Sequence, residues 1–416
     1  MKIVILIINL YSFFPIAYSL DNGVARTPPM GWMSWTKFYC ETNCAKHPFS
    51  CINQQLYMDM ADRLAVDGYR EAGYEYVHID DCWMERSRDT QGKLVANLTR
   101  FPSGIRKLSE YMHSRGLKLG IYEDIGTKTC AGYPGSYQHY ETDAQTFADW
   151  KVDYLKVDGC NIDLTTIPNE YPKMGIALNR TGRQIVYSCS WPAYLDFKHE
   201  EKINYTAIGY WCNLWRNFDD IYRSWGSVLS IIDFYNKNQE IFRKVQAPGR
   251  WNDPDMLIVG NTELTVDQAK VQMSVWAIWS APLIMSNDLR TIVPEQRDIL
   301  LNRRVIAVDQ DPLGIMGRMV FKSFTVFVYT KEMTPVDYVN KRYSYAVAVV
   351  NHGFLPIKFS TDLKSIGLTN DEGYSVQCLW SGKMLGDFGP SDIYNVTLAP
   401  TSVAFMKATL PTQNWQ

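Results

Sequence analysis

Between residues 74 and 256 short apolar runs recur, and most of them end abruptly in acids. Val152-Asp153-Tyr154-Leu155-Lys156-Val157 closes on Asp158-Gly159-Cys160. Tyr74 to Val77 with Ile79 leads to Asp80-Asp81, and Leu117 to Tyr122 leads to Glu123-Asp124. Ile185-Val186-Tyr187 runs into Ser188-Cys189-Ser190-Trp191, while Trp251 to Met256 carries Asp253 and Asp255 among apolar residues. Runs of this length bounded by Gly or polar residues predict buried strands. Residues 52–71, 105–114 and 143–150 separate them, with apolar positions at helical spacing. Strands alternating with helices, and polar residues gathered where strands end, predict an α/β fold with a parallel (β/α)8 barrel. A doubly wound sheet would be the rival, but its Gly-rich phosphate loop is missing.

After about Pro312 the pattern changes. Residues 318–409 hold runs such as Phe324 to Tyr329, Tyr345 to Val350 and Thr401 to Phe405, broken by Gly, Pro, Asn and Asp. That texture predicts a C-terminal antiparallel β-sandwich without the acids and aromatics that mark the barrel's strand ends. At the other end, Met1-Lys2, an apolar stretch through Ile16 and the small-x-small triplet Ala17-Tyr18-Ser19 predict a signal peptide. Its apolar core is shorter than the roughly 20 residues a membrane span needs. The expected organisation is a signal peptide over residues 1–19, a barrel over 20–312 and a sandwich over 313–416.

Composition narrows the function. A formal net charge of −2 over 416 residues leaves no electrostatic footprint for nucleic acid or an anionic membrane. Nine cysteines in a chain routed for export predict disulfides with one thiol left over, and spacing alone leaves the pairing open. Cys40, Cys44, Cys51, Cys82, Cys130, Cys160, Cys189 and Cys212 precede residue 213; Cys378 stands apart and is expected as a buried free thiol. Zinc is disfavoured, since no C-x-x-C pair exists. Sequons at Asn97, Asn179, Asn204 and Asn395 are expected to be glycosylated surface loops. The expected destination is the secretory pathway.

The chemistry gathers in two acids. Asp158 lies two residues from Lys156, so both face one side of a strand, and an ammonium neighbour favours an ionised carboxylate. Asp219-Asp220 follows Trp211-Cys212-Asn213-Leu214-Trp215-Arg216-Asn217-Phe218, where an aspartate near aromatics suits a protonated role. Two carboxyl groups with separated pKa values are what glycoside hydrolysis needs. The bland alternatives are that Asp158 caps a helix or turn and that Asp219 or Asp220 caps a helix before Ile221-Tyr222.

The chain resembles the melibiase-type family of retaining α-galactosidases and α-N-acetylgalactosaminidases. The runs that carry the resemblance are Arg26 to Trp32, Gly73 to Tyr76, Ile79 to Trp83, Gly116 to Tyr122, Asp143 to Trp150, Trp215 to Phe218, Trp251 to Met256 and Ala281 to Leu289. The resemblance implies Asp158 as nucleophile and Asp220 as general acid/base. It implies sugar contacts from Trp35, Asp80, Asp81, Tyr122, Lys156, Tyr194, Arg216, Asp255 and Met256. It implies the bridges Cys40–Cys82, Cys44–Cys51, Cys130–Cys160 and Cys189–Cys212. No cofactor or metal is expected, because the Asp80-Asp81 pair lacks the further oxygen ligands of a calcium site. The implied partner is a glycan, with homodimers common in the family. Glu123 departs from the small residue more familiar after the Gly-Ile-Tyr run.

Specificity turns on Ser190 and Ala193. In the family these positions face the substituent on sugar carbon 2, and enzymes restricted to galactose carry Glu and Leu there. Small residues leave room for an acetamido group, so the resemblance implies an exo-glycosidase preferring terminal α-linked N-acetylgalactosamine, with α-galactosidase activity as a slower reaction. The alternatives are an α-galactosidase proper and an inactive sugar-binding homologue.

Overall fold

The computed structural model describes residues 22–195 and 202–411; the expected signal peptide and part of the segment between Ser190 and Arg216 lie outside them. Eight parallel strands form the first unit. They are β1 (Met30–Met33), β2 (Tyr76–Ile79), β3 (Lys118–Asp124), β4 (Tyr154–Asp158), β5 (Val186–Cys189), β6 (Leu214–Arg216), β7 (Trp251–Asp253) and β8 (Leu283–Met285). From β1 to β7 each pairs with the next in chain order, and β1 also pairs with β8. The ring closes irregularly. Pro254 has no N–H to give a ladder, so β7 stops at Asp253 and the chain re-engages β8 through Leu257, whose N–H donates to Ile284 at 2.8 Å. Helices such as Gln54–Val66, Gly104–His113, Tyr140–Asp149 and Val266–Trp279 cover the outside. Their starts obey local chemistry: Asn53 and Ser224 cap with side-chain oxygens, and Thr265 with Gln268 forms a full capping box.

The amphipathic stretch expected over residues 52–71 is two helices. It breaks at Asp67-Gly68, where Gly68 adopts φ +91°, before the short helix Tyr69–Ala72. Strands β1 and β8 were not singled out as strands in the sequence pattern, because three or four buried residues give too little period to read.

The C-terminal unit sets a six-stranded antiparallel sheet against a two-stranded one. The larger contains β9 (Arg318–Lys322), β10 (Val326–Asp337), β11 (Arg342–Asn351), β13 (Tyr374–Cys378), β14 (Met384–Phe388) and β16 (Ser402–Thr409); the smaller pairs β12 (Ile357–Asp362) with β15 (Ile393–Leu398). Val328, Val347, Val349, Leu363, Tyr374 and Met406 fill the space between them. The other face of the large sheet, with Phe327, Tyr329, Ala348 and Phe405, joins the core of the barrel. Lys331 crosses that junction. Fully buried on β10, it donates to Ala277 and Val308 carbonyls and to Ser280 Oγ, a cation set at the C-terminal ends of two barrel helices.

All four expected disulfides are present: Cys40–Cys82, Cys44–Cys51, Cys130–Cys160 and Cys189–Cys212. Cys378 is unpaired but only half-buried, a correction that follows from its position at the end of β13 beside the turn to β14. The sequons sit at the surface without all being loops: Asn179 lies in the helix Ile167–Arg180 and Asn395 in β15, Asn204 caps the helix Tyr205–Trp211, and Asn97 stands half-buried in a turn. Among the described residues no helix is long and apolar enough to cross a membrane.

Candidate active site

The strand tips converge. Asp80 and Asp81 follow β2, Tyr122 lies in β3, Lys156 and Asp158 close β4, Ser190 follows β5, Arg216 ends β6, and Asp255 and Met256 follow β7. Every one of them lies at or just past a strand's C-terminal end, the face on which barrels carry chemistry.

Asp158 sits at the centre. Tyr194 Oη donates to its Oδ1 at 2.7 Å and Tyr122 Oη to its Oδ2 at 3.1 Å, so both oxygens are held by phenols. Tyr194 reaches it across Gly159, where a Cβ would stand 2.8 Å from the tyrosine ring. The Cys130–Cys160 bridge closes the other flank, with Cys130 Sγ 3.5 Å from Asp158 Oδ2 and Cys160 Sγ 3.2 Å from Tyr194 Oη. Those sulfurs carry no proton and no thiolate. The same bridge therefore rules the neighbouring grouping of Asp124, Cys130 and Cys160 out as thiolate ligands for a metal.

Lys156 does not pair directly with Asp158. Its Nζ donates to Asp80 Oδ2 at 2.8 Å, correcting the simple reading of two side chains two residues apart. Burial alone would lower the Lys156 pKa, yet Asp80, Asp158 and Asp255 around it raise it, so the ammonium is a fixed charge shared among three carboxylates. Asp81 accepts from the Ala131 N–H at 2.9 Å and from the Cys82 N–H, and burial lifts its pKa to about 6.

Arg216 links the far side. Its guanidinium donates to Asp220 Oδ1 at 2.9 Å and lies 3.2 Å from Asp255 Oδ2, while its buried Nε has no partner. Desolvation pushes the Asp220 pKa up, but Arg216 and Lys156 outweigh it and hold the carboxyl below its ordinary value. This overturns the expectation of a protonated aspartate against aromatics. Phe218 stacks on Phe234 at 4.1 Å while lining the same cavity as Asp220, and Trp215 points into the core. Nor does Asp219 or Asp220 cap a helix, since the next one begins at Trp225 on a Ser224 cap. Asp255 adopts φ +76° and is pinned by Ile221 N–H at 2.8 Å; Asp253, half-buried, has its pKa raised to about 6, chiefly by desolvation.

A cavity of about 190 Å3 opens over these groups, lined by Asp158, Ser190, Ala193, Tyr194, Arg216, Phe218, Asp219, Asp220 and Tyr222. Ser190 is set by its N–H to Val157 at 3.0 Å. The turn that carries Ala193 is braced by Trp191 stacked on Tyr171 at 5.6 Å and 7°. Trp35 and Met256 are not among the residues that line this cavity: Thr36 Oγ1, next to Trp35 in the chain, donates to Met256 Sδ at 3.4 Å, and Trp35 lies edge-on to Tyr39. Glu123 points away from the cavity, accepting from Ser136 Oγ, and burial beside Asp143 raises its pKa well above the carboxylate range. Its acid is a packing group between β3 and the helix Tyr140–Asp149.

Sequence reasoning missed two supports. Ser34 Oγ accepts from both the Asp80 N–H and Tyr57 Oη, and Asp124, buried and raised in pKa, accepts from the Gly126 and Cys160 N–H groups beside Asp158. Asp124 was legible as an acid at the tip of β3; Ser34 was not, because nothing marks it until the strands are assembled.

These buried acids set a pH dependence of stability. Asp81, Asp253, Glu123, Asp124 and Asp309 all have folded pKa values above their ordinary ones, chiefly through burial. Such groups contribute stability in full below their unfolded pKa and lose it as pH rises through the folded value, about 6 for Asp81 and Asp253. His78 opposes them: burial lowers it to about 3, so its contribution is present above its ordinary pKa and declines as pH falls. Asp80 and Asp255 are raised as well and His352 is lowered, so seven carboxylates stand against two imidazoles. The expected result is a Tm a few degrees higher near pH 5 than near pH 7.5, read by calorimetry; a lower Tm on acidification would contradict it.

A parallel barrel with paired acids on tyrosine and arginine supports at its strand tips defines a glycoside hydrolase. Residues 27–311 match the family profile described as alpha galactosidase A, and residues 328–408 match the alpha galactosidase C-terminal beta sandwich domain. An alpha-N-acetylgalactosaminidase of Gallus gallus is 48% identical over 92% of this chain and 94% of that protein. Alpha-galactosidase A of Homo sapiens is 49% identical over 85% of this chain and 81% of that protein. The crystal structure of alpha-galactosidase I from Mortierella vinacea superposes with a TM-score of 0.82 at 30% identity, over 93% of this chain and 98% of that one. The chain belongs to the alpha galactosidase A family.

Proposed function

We propose that this enzyme is a retaining exo-glycosidase that removes terminal α-linked N-acetylgalactosamine, with α-galactosidase activity as a slower reaction. The observation that carries the choice is the small pair Ser190 and Ala193 on the wall of the cavity that holds Asp158 and Asp220. A hydroxyl and a methyl there suit an acetamido group, whereas galactose leaves the space unfilled. The curated relatives named alpha-N-acetylgalactosaminidase in chicken and human support the reading.

In this mechanism Asp158 attacks the anomeric carbon and its two phenol donors hold the attacking carboxylate in line. Asp220 protonates the leaving oxygen and then takes a proton from water. Its ion pair with Arg216 holds its pKa down in the free enzyme, so Asp220 must gain a proton before it donates. By the family resemblance Asp80, Asp81, Lys156 and Asp255 are assigned as hydroxyl partners and Trp35, Tyr122 and Met256 as further sugar contacts, while Tyr194 lines the cavity. No cofactor or metal takes part. The four disulfides and the sequons at Asn97, Asn179, Asn204 and Asn395 fit a glycoprotein of the secretory pathway, lysosomal or exported, organised as a barrel through residue 312 and a sandwich from 313; a homodimer is proposed from the family resemblance alone.

The test compares kcat/KM on nitrophenyl α-N-acetylgalactosaminide and nitrophenyl α-galactoside. The first is expected to exceed the second by roughly ten- to a hundredfold. The reverse order makes the protein an α-galactosidase, and no turnover of either leaves a sugar-binding homologue.

A further inference from the structure

Glu123 follows Tyr122 on β3 and points away from the cavity, into a buried chain of polar groups that the catalytic reading leaves unused. Ser136 Oγ stands 3.1 Å from Glu123 Oε1 and 2.7 Å from Asp143 Oδ2, and Arg88 clasps both oxygens of Asp143 at 2.6 and 2.7 Å. A serine hydroxyl has one hydrogen to give. Asp143, nearer and paired with arginine, is the better acceptor for it, so the contact to Glu123 is satisfied when Glu123 brings a proton of its own. Its other oxygen, Oε2, is buried without a partner among the described residues. An ionised carboxylate there would stand desolvated beside Asp143 on the helix Tyr140–Asp149 and Asp124 on its own strand. The facing cation, Arg88, is already bound twice to Asp143.

This chain of groups fastens the base of a loop that reaches the nucleophile. Residues 125–137 leave β3 and return with the Ser136 N–H on the Asp124 carbonyl at 2.9 Å and the Tyr137 N–H on the Gly126 carbonyl at 3.0 Å, while Arg88 also holds the Gly135 carbonyl at 2.7 Å. At the far end of the loop, Cys130 Sγ lies 3.5 Å from Asp158 Oδ2 and the Ala131 N–H donates to Asp81. We infer that Glu123 is a positioning residue: protonated, it completes the link from Ser136 to Asp143 and so holds the loop of Cys130 and Ala131 against Asp158 and Asp81, and its ionisation releases that loop and with it the activity. This rests on the proposed exo-glycosidase reading. Burial first, and then Asp143 and Asp124, raise the Glu123 pKa well above the carboxylate range, so its contribution is complete at acidic pH and is lost as pH rises through the elevated folded value.

The experiment compares the parent with Glu123→Gln, which keeps the shape and a donor but cannot ionise, and with Glu123→Ala. Two readouts are taken from about pH 5 to about pH 8: hydrogen exchange of the peptide covering residues 125–137, corrected for the intrinsic pH dependence of exchange, and kcat/KM on nitrophenyl α-N-acetylgalactosaminide. In the parent, protection of the loop is expected to fall roughly tenfold across that range, and in Glu123→Gln to stay within roughly threefold. The conservative variant should match the parent in kcat/KM near the acidic end and exceed it roughly fivefold near the alkaline end. Glu123→Ala, with no group to bridge Ser136, should show the loosened loop at both ends. Superimposable exchange and activity profiles of parent and Glu123→Gln overturn the inference, and so does a loop that loosens in the parent while the two kcat/KM profiles stay alike. A parent without turnover of either nitrophenyl sugar overturns the glycosidase reading instead, and the exchange readout, which needs no substrate, still decides whether Glu123 holds the loop.

Discussion

Asp158→Asn is expected to abolish turnover, lowering kcat by roughly a thousandfold or more while leaving the fold intact. The amide keeps the shape of the carboxylate, and Tyr122 and Tyr194 can each donate to, or accept from, it. What disappears is the negative oxygen that forms the glycosyl ester. Tm should change little, and proton NMR of the parent reaction should show the α-anomer of the released sugar as first product, since two displacements at one carbon retain configuration. Parent-like activity in purified Asp158→Asn removes the nucleophile assignment; a β-anomer as first product removes the double displacement.

Ser190→Glu combined with Ala193→Leu is expected to reverse sugar preference. Ser190 is nearly enclosed, and Ala193 sits on a turn braced by the Trp191–Tyr171 stack, so added bulk has nowhere to go except into the cavity. A leucine isobutyl group and a glutamate chain would occupy the space assigned to the acetamido group. Loss of one well-made contact costs about 1 to 3 kcal/mol, and a clash costs more, so kcat/KM for the N-acetylgalactosaminide should fall by at least roughly a hundredfold. Galactosides should keep most of their rate. An equal fall on both sugars would mean that the pair supports the turn rather than reading carbon 2.

The barrel and sandwich were legible because their signals are local. Five of the eight barrel strands stood out as apolar runs closing on polar tips, and the tips carried Asp80, Asp81, Lys156, Asp158 and Asp255. The sandwich was legible in long runs such as that of β11, where neighbouring side chains alternate between two buried faces. Strands β1, β6 and β8 were not read as strands from the pattern; Asp219-Asp220 after β6 was legible as an acid pair, while Trp35 after β1 and the role of Arg216 entered only through the resemblance.

Electrostatics was the part that sequence could not decide. Two residues apart in β4, Lys156 and Asp158 share a face, but which carboxylate receives the ammonium depends on how β2 and β4 lie across the barrel mouth, and Asp80 is the one within 2.8 Å. Asp220 reads from its neighbours as an acid among aromatics, yet Trp215 packs into the core, Phe218 is engaged by Phe234, and Arg216 is the group that pairs with it. The residue types, their order and their approach to strand ends were written in the chain, because periodicity and turn chemistry act over a few residues. Partners, burial and hence protonation were decided by the tertiary structure, because a charge responds to every group within a few ångströms, whatever its distance along the sequence.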